Sequence, residues 1–176
     1  MIDEHALADL ERLSDILRTT GPVAVAVSGG IDSLTLAFAA HRCREGDAVM
    51  FHAVSPAVPQ SSTNRVVRYS EVEGWQLKII NAGEFDDKRY LQNPANRCFY
   101  CKDNLYAAIA GRIEGERQLL SGTNLDDLDD WRPGLKAAEA YSVRHPFVEA
   151  QINKAAVRAI ARHHQMNDVA ELPSAP

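Results

Sequence analysis

The sequence predicts a single α/β domain, doubly wound, with a mainly parallel sheet flanked by helices. Short apolar runs at 23–27, 47–55, 75–81 and 117–124 read as buried strands. Segments of helical periodicity separate them, and strictly alternating strands and helices build parallel crossover units. A chain of 176 residues, 45% of them hydrophobic, fills one core and leaves little for a second.

Each element follows from its own residues. In "DEHALADLERLSDILR" (3–18), Leu7, Leu10, Leu13 and Leu17 recur at three- and four-residue steps, so residues 1–20 supply an amphipathic N-terminal helix. Thr20-Gly21-Pro22 stops it. Val23 to Val27 is too short for a solvated helix and suits a buried strand. After "SGGIDS", a helix rich in Ala and Leu runs to about Arg44, and "DAVMFHAVS" (47–55) is the second strand. Pro56 and Pro59 mark a loop before a helix in "SSTNRVVRYSEVEG", and "WQLKIIN" (75–81) is the third strand. Residues 82–97 read as irregular. A helix is expected over Cys98 to Gly115, where Leu105, Ile109 and Ile113 are spaced by four. "RQLLSGTN" (117–124) is the fourth strand, "GLKAAEAY" a short helix, Val143 to Val148 an extended piece, and Lys154 to His164 the last helix. Residues 166–176 are expected to form a frayed tail.

The break inside "PVAVAVSGGIDSLTLAFAA" is the most informative feature. It is a strand-to-helix turn, the place where α/β proteins bind ligands. Gly29 and Gly30 remove side chains so that backbone N–H groups can approach an anion, and Ser28 and Ser33 add hydroxyls. The helix beginning near Asp32 brings its positive N-terminal end. The turn lacks both the dinucleotide fingerprint and the Lys-Ser/Thr pair of the common phosphate loop. A tight turn with Asp32 or Ser33 merely capping the helix is the plainer alternative.

Composition narrows the partners. A net charge of −5 argues against a general nucleic-acid binder. No apolar run is long enough to span a membrane, and Met1 to Asp9 lacks signal-peptide character. Three cysteines do not make a secreted disulfide framework, so a reducing cytoplasm is the expected location.

"SGGIDS" resembles the pyrophosphate loop of the ATP pyrophosphatases, the PP-loop superfamily that includes NAD synthetase, the GMP and asparagine synthetases and tRNA thiolation enzymes. "NPANRCFYCKDNLY" (93–106), "GTNLDDLDDWRPGLKAAEA" (122–140) and "HPFVEAQINKAAVRAIAR" (145–162) resemble one branch, the sacrificial sulfur transferases. That branch makes the thiolated, nickel-binding pincer cofactor of lactate racemase from a pyridinium dicarboxylate mononucleotide. The resemblance covers most of residues 20–165 and implies an adenine nucleotide alpha hydrolase-like fold. It also implies ATP as cosubstrate, its β- and γ-phosphates in the loop and its α-phosphate open to attack by a small-molecule carboxylate. The family's chains continue into a segment with the sulfur-donating cysteine, and nothing after Cys101 matches it. A homo-oligomer or a partner subunit supplying that half is therefore expected.

The remaining candidates sort around this reading. Ser28, Gly29, Gly30, Asp32, Ser33, Gly122, Thr123 and Asn124 are the expected nucleotide contacts, with Asp32, Ser33 and Arg132 as catalytic candidates. Arg132 offers a planar fork to phosphate or carboxylate, or else an ion pair to nearby aspartates. Asp126, Asp127, Asp129 and Asp130 form an acidic loop, which is either a solvated cluster or a Mg²⁺ site beside the triphosphate. Asp126 and Asp127 match the family's GTN-x-DD, and with Asp32 they are the expected Mg²⁺ ligands. Trp131 is expected to pack. Cys98 and Cys101 have CxxC spacing, which suits a soft metal or a redox pair. Some sulfur-transferase relatives use this pair for an iron–sulfur cluster together with a later cysteine. No such third cysteine follows here, so metal-free thiols are expected. Arg97 and Lys102 flank the pair and give it a positive setting for an acidic substrate. Cys43 reads as core. His163 and His164 read as surface.

Three functions compete: an ATP-dependent adenylyl-transfer enzyme serving sulfur transfer, a non-catalytic nucleotide-binding module or half of a two-subunit sulfur transferase, and a metal or redox accessory protein built on Cys98 and Cys101.

Overall fold

The first helix, α1 (Glu4–Thr20), starts where the Asp3 carboxylate accepts the His5 N–H at 3.0 Å, and Gly21 ends it. The structure, a computed structural model, describes residues 3–92, 94–129 and 133–174. Arg132, Asp130 and Trp131 lie outside these residues.

The chain continues as β1 (Val23–Ala26), α2 (Ile31–Cys43), β2 (Ala48–Val54), α3 (Gln60–Glu73) and β3 (Gln76–Asn81). Then follow α4 (Lys88–Gln92), α5 (Arg97–Ala110), β4 (Gln118–Leu120), α6 (Pro133–Ala140), α7 (Pro146–Glu149), α8 (Lys154–His163) and α9 (Asn167–Ala170). The four strands are all parallel, in the order β3-β2-β1-β4. This is the expected α/β domain.

Strand alternation distributes the core over both faces. Val23, Val25, Met50 and Leu120 point to one side, where Leu13, Leu17, Leu34, Val157 and Ile160 cover them from α1, α2 and α8. Ala24, Ala26, Val49, Phe51 and Leu119 point to the other, under Tyr106 and Ile109 of α5 and Ala137 and Ala138 of α6. β1 is buried throughout, so it carries no polar residue. From β1 the chain winds outward to β2 and β3, then crosses to β4 on the opposite side of β1. The switch point therefore falls between the carboxyl ends of β1 and β4, where ligands bind in such sheets.

Several boundaries differ from the sequence reading. β4 is only Gln118–Leu120, because Ser121 to Asn124 turn away toward α2. α5 stops at Ala110, where Gly111 follows, rather than at Gly115. The extended piece shrinks to one bridge, Leu120 to Arg144, since Pro146 has no N–H to extend a ladder and opens α7 instead. Residues 82–97 hold the short helix α4 and 3₁₀ turns at Glu84–Asp86 and Pro94–Asn96. The expected frayed tail is held down: Met166, Val169 and Ala170 are buried, and the Arg158 guanidinium donates to the Ala170 and Leu172 carbonyls. Among the described residues no helix is long and apolar enough to cross a membrane.

His164, expected at the surface, packs its ring against Phe38 with centroids 4.6 Å apart, and its Nε2 is buried without a partner. Burial, with the His163 and Arg42 charges adding to it, pushes its pKa down to about 4. A ring that binds its proton more readily when unfolded stabilises the fold above its ordinary value near 6.5. That contribution is lost as pH falls from there toward 4. The melting temperature should therefore drop on acidification from pH 7 to 5, by an amount on the order of 1 kcal/mol of stability. His164→Leu should flatten that drop in a pH series of thermal melts; an unchanged slope would remove His164 as its source.

Candidate functional site

The turn after β1 is shaped from within by its own serines. The Ser28 N–H donates to Ser33 Oγ at 3.0 Å, the two hydroxyls lie 3.0 Å apart, and the Gly30 N–H reaches Ser28 Oγ at 3.3 Å. Ser33 is only 7% exposed, so its hydroxyl sets the loop's curvature as part of that internal net. Gly30 is the N-cap of α2 and has no side-chain capping bond. The N–H groups of the first helical turn thus remain available to an anion, with the helix dipole behind them.

Two glycines are there because atoms would collide otherwise. Gly29 has φ +94°, and a Cβ on it would sit 2.7 Å from the Ser62 carbonyl oxygen of α3. A Cβ on Gly122 would sit 2.8 Å from the Ser33 nitrogen and 2.9 Å from the Asp32 carbonyl carbon. The segment after β4 therefore lies directly against the first turn of α2. Gly30, by contrast, meets nothing nearer than Ser28 Oγ at 3.6 Å.

Asp32 is the meeting point. Its Oδ1 accepts from the Asn124 amide at 3.1 Å, and its Oδ2 is paired with Lys154 Nζ at the start of α8. Burial raises the Asp32 carboxyl above its ordinary value, Lys154 opposes that rise, and the Asp127 charge adds to it. Asn124 is fully buried. It forms a reciprocal cap with the acidic turn: Asp126 N–H donates to Asn124 Oδ1 at 2.9 Å, and Asn124 N–H to Asp127 Oδ2 at 3.0 Å. Asp126 Oδ2 also accepts the Lys154 N–H at 3.0 Å, which ties this turn to α8. The Leu125 N–H donates to the Ile152 carbonyl at 3.0 Å, so the turn is held from both ends.

The acidic loop is thus a structural clasp, whatever else it holds. Among the described residues no group of three or more His, Cys, Asp or Glu side chains is placed to hold a metal ion. Thr123 stays partly accessible, and its Oγ1 lies 3.0 Å from Ser121 Oγ, which is 2.7 Å from His145 Nδ1. Burial lowers the His145 pKa, so the ring is neutral at neutral pH.

The thiols occupy the start of α5. Cys98 is exposed and Cys101 half-buried, and both are free. Burial pushes the Cys101 thiol up, against the Lys102 charge. Lys102 packs against α6, where its Cγ would lie 3.0 Å from a Cβ on Gly134. Arg97 stands over the Tyr90 ring, 5.7 Å from its centroid. Cys43 packs against the core from the end of α2, as expected.

The structure thus brings together Ser28, Gly29, Gly30, Asp32, Ser33, Gly122, Asn124, Asp126 and Asp127 by direct contacts. Sequence reasoning missed Lys154, Arg65 and His52. Lys154 carried a usable signal: a cation in the first turn of a helix opposes the dipole, so it needs a partner elsewhere.

No protein-family model matches the chain. It is 32% identical over 155 residues to an uncharacterised Synechocystis protein, covering 87% of this chain and 58% of that one. It is 28% identical over 160 residues to the pyridinium-3,5-bisthiocarboxylic acid mononucleotide synthase of Lactiplantibacillus plantarum, covering 89% of this chain and 54% of that one. An uncharacterised protein of Methanocaldococcus jannaschii matches at 28% over 147 residues, 82% of this chain and 56% of that one. The chain therefore spans a little over half the length of the curated relatives it matches. In fold it is similar to the glutamine-dependent NAD⁺ synthetase of Acinetobacter baumannii, solved with ADP. The TM-score is 0.68 at 15% identity, over 94% of this chain and 35% of that one.

Close approach at Gly122 should be felt in stability. Gly122→Ala should destabilise by about 1–3 kcal/mol, because the added methyl meets backbone that cannot move aside. Gly30→Ala should cost less, since its nearest neighbour is a hydroxyl at contact distance. Equal denaturation midpoints for the two variants would contradict this packing. In sequence the chain is thus similar over most of its length to a pyridinium-3,5-bisthiocarboxylic acid mononucleotide synthase, and in fold to an NAD⁺ synthetase.

Proposed function

We propose that this chain binds ATP at the Ser28–Ser33 turn and transfers its adenylyl group to a substrate carboxylate, releasing pyrophosphate, as the activating half of a sulfur transfer. The observation that carries this reading is the uncapped first turn of α2, at the sheet's switch point, with Asp32 fixed beside it by Lys154 and Asn124.

The terminal phosphates would accept hydrogen bonds from the N–H groups of the loop and of the first turn of α2. Lys154 would lend its charge to the same phosphates, since its ammonium already stands at the loop beside Asp32. A substrate carboxylate oxygen attacks the α-phosphorus, the α–β anhydride bond breaks, and pyrophosphate leaves with the bonding pair. The acyl adenylate then takes a sulfur nucleophile at its carbonyl carbon and expels AMP. The chain's part is mostly positioning and charge stabilisation. Asp32 and Asp127 fit a Mg²⁺ best: their charges interact, and a carboxylate retains acceptor capacity beyond two hydrogen bonds. Asp126, like Asp127, already accepts a backbone N–H, in its case at the start of α8. Mg²⁺ there would neutralise triphosphate charge.

Pyrophosphate release from Mg-ATP with candidate pyridinium carboxylates tests the reaction. Asp32→Ala should lower that release about 100-fold while the far-ultraviolet circular dichroism stays native. Parent-level turnover in the variant would end the phosphate-loop reading. Binding of ATP, seen as thermal protection, without any acceptor-dependent pyrophosphate would instead favour a nucleotide-binding module.

The thiols give a separate expectation. Cys101 is held in its protonated form by burial, and Cys43 packs on the core. Sacrificing a cysteine would leave dehydroalanine and remove the mass of one hydrogen sulfide. Intact mass should stay unchanged after incubation with Mg-ATP and the pyridinium dicarboxylate mononucleotide. A loss at Cys98 or Cys101 would show that this chain donates its own sulfur.

A further inference from the structure

The far side of the phosphate turn is built by α3, an element that sequence reading left out of the site. Arg65 of α3 donates from Nη1 to the Gly29 carbonyl at 2.7 Å. Its guanidinium therefore touches the loop at the residue whose conformation opens it. A guanidinium carries five N–H donors, and one carbonyl uses one of them. Among the described residues no carboxylate lies within ion-pair distance of Arg65. The arginines of surface pairs such as Arg42–Glu73 and Arg144–Glu149 do have one. A half-buried arginine left without a counter-charge, at a turn that presents N–H groups, is a cation awaiting an anion.

The surroundings of α3 keep this arginine in place. His52, fully buried on β2, lies with Nδ1 2.7 Å from the Val27 carbonyl and Nε2 2.9 Å from Thr63 Oγ1. A carbonyl can only accept, so Nδ1 carries a proton there, and Nε2 shares its hydrogen bond with the Thr63 hydroxyl. The two bonds lock the start of α3 to the last residue before the turn. Ser62, one residue earlier, is the backbone against which Gly29 closes. Arg65 thus approaches from α3 while Lys154 approaches from α8, with the turn between them.

We infer that Arg65 is a second phosphate-binding cation of this site, engaging the terminal phosphates of ATP and the pyrophosphate released from it. The inference rests on the nucleotide reading above and adds a residue that stabilises negative charge on the leaving group.

Calorimetric titration of pyrophosphate and of ATP into the parent chain, Arg65→Gln and Arg65→Lys tests it. Glutamine keeps N–H donors on a shorter side chain and loses the charge; lysine keeps the charge and loses the planar fork. Arg65→Gln should weaken both ligands about tenfold or more, with Arg65→Lys lying closer to the parent and all three melting at similar temperatures. Parent-like affinity in Arg65→Gln would overturn the inference. So would equal losses in the glutamine and lysine variants, which would mark a residue that only shapes the loop. If the parent itself binds neither ligand, the nucleotide reading falls and this inference with it; a parent that binds, with Arg65→Gln unchanged, leaves the reading standing.

Discussion

The arrangement depends on a single half-buried carboxylate. Asp32 joins three stretches far apart in sequence: the first turn of α2, the turn after β4 through Asn124, and the start of α8 through Lys154. A half-buried charge is expensive without partners, and removing one partner of such a pair strands the other. Asp32 therefore forces Asn124 and Lys154 into place, and the capping contacts of Asp126 and Asp127 follow from theirs. The same carboxylate leaves the helix N-terminus itself uncapped, since it reaches sideways rather than back over the first N–H groups. One interaction thus both assembles the turn's surroundings and leaves the first N–H groups of α2 uncapped.

The backbone contacts around it leave little choice of residue. Gly122 lies against the Asp32–Ser33 peptide and Gly29 against Ser62, so the turn is clamped between the β4 exit and α3. Glycine is required at both places for space, and at Gly29 also for its positive φ. These contacts explain why β4 ends at Leu120. Continuing the strand through Thr123 would carry Gly122 away from α2 and take Asn124 out of reach of Asp32.

Much of this was legible in the sequence, and the rest fails for identifiable reasons. β1 and α1 were readable because burial on both faces and an amphipathic stripe leave unmistakable periodicities. The turn was readable because glycines and serines interrupting an apolar run have few other uses. Thr123 and Asn124 were read as the end of the fourth strand but lie past it, and Asn124 works from full burial on Asp32. The run of aspartates was ambiguous in a way no local rule resolves. A carboxylate that caps backbone N–H groups and one that faces a cation look alike in one dimension, and here Asp126 and Asp127 both cap. His164 was misplaced because a polar residue at a helix end reads as exposed, while its ring packs on Phe38 of α2. Arg65 and His52 were invisible for another reason: their partners are carbonyls, which every residue has, so no pattern of side chains announces them.

For a chain with net charge −5 to hold the proposed anion, its local field must differ from its overall charge. Interactions beyond about 8–10 Å are largely screened at physiological salt, so the acidic N-terminus and surface weigh little at the turn. What counts is the shell within a few ångströms, and there the helix dipole of α2 is joined by Lys154 on one side and Arg65 on the other. The carboxylates of that shell are already engaged: Asp32 by Lys154 and Asn124, Asp126 and Asp127 by backbone N–H groups. Those contacts partly compensate the negative charge of the carboxylates. In an acidic protein, donors rather than net charge would then hold the proposed phosphate: backbone N–H groups, Lys154 and Arg65 stand at the turn while the aspartates fix its shape.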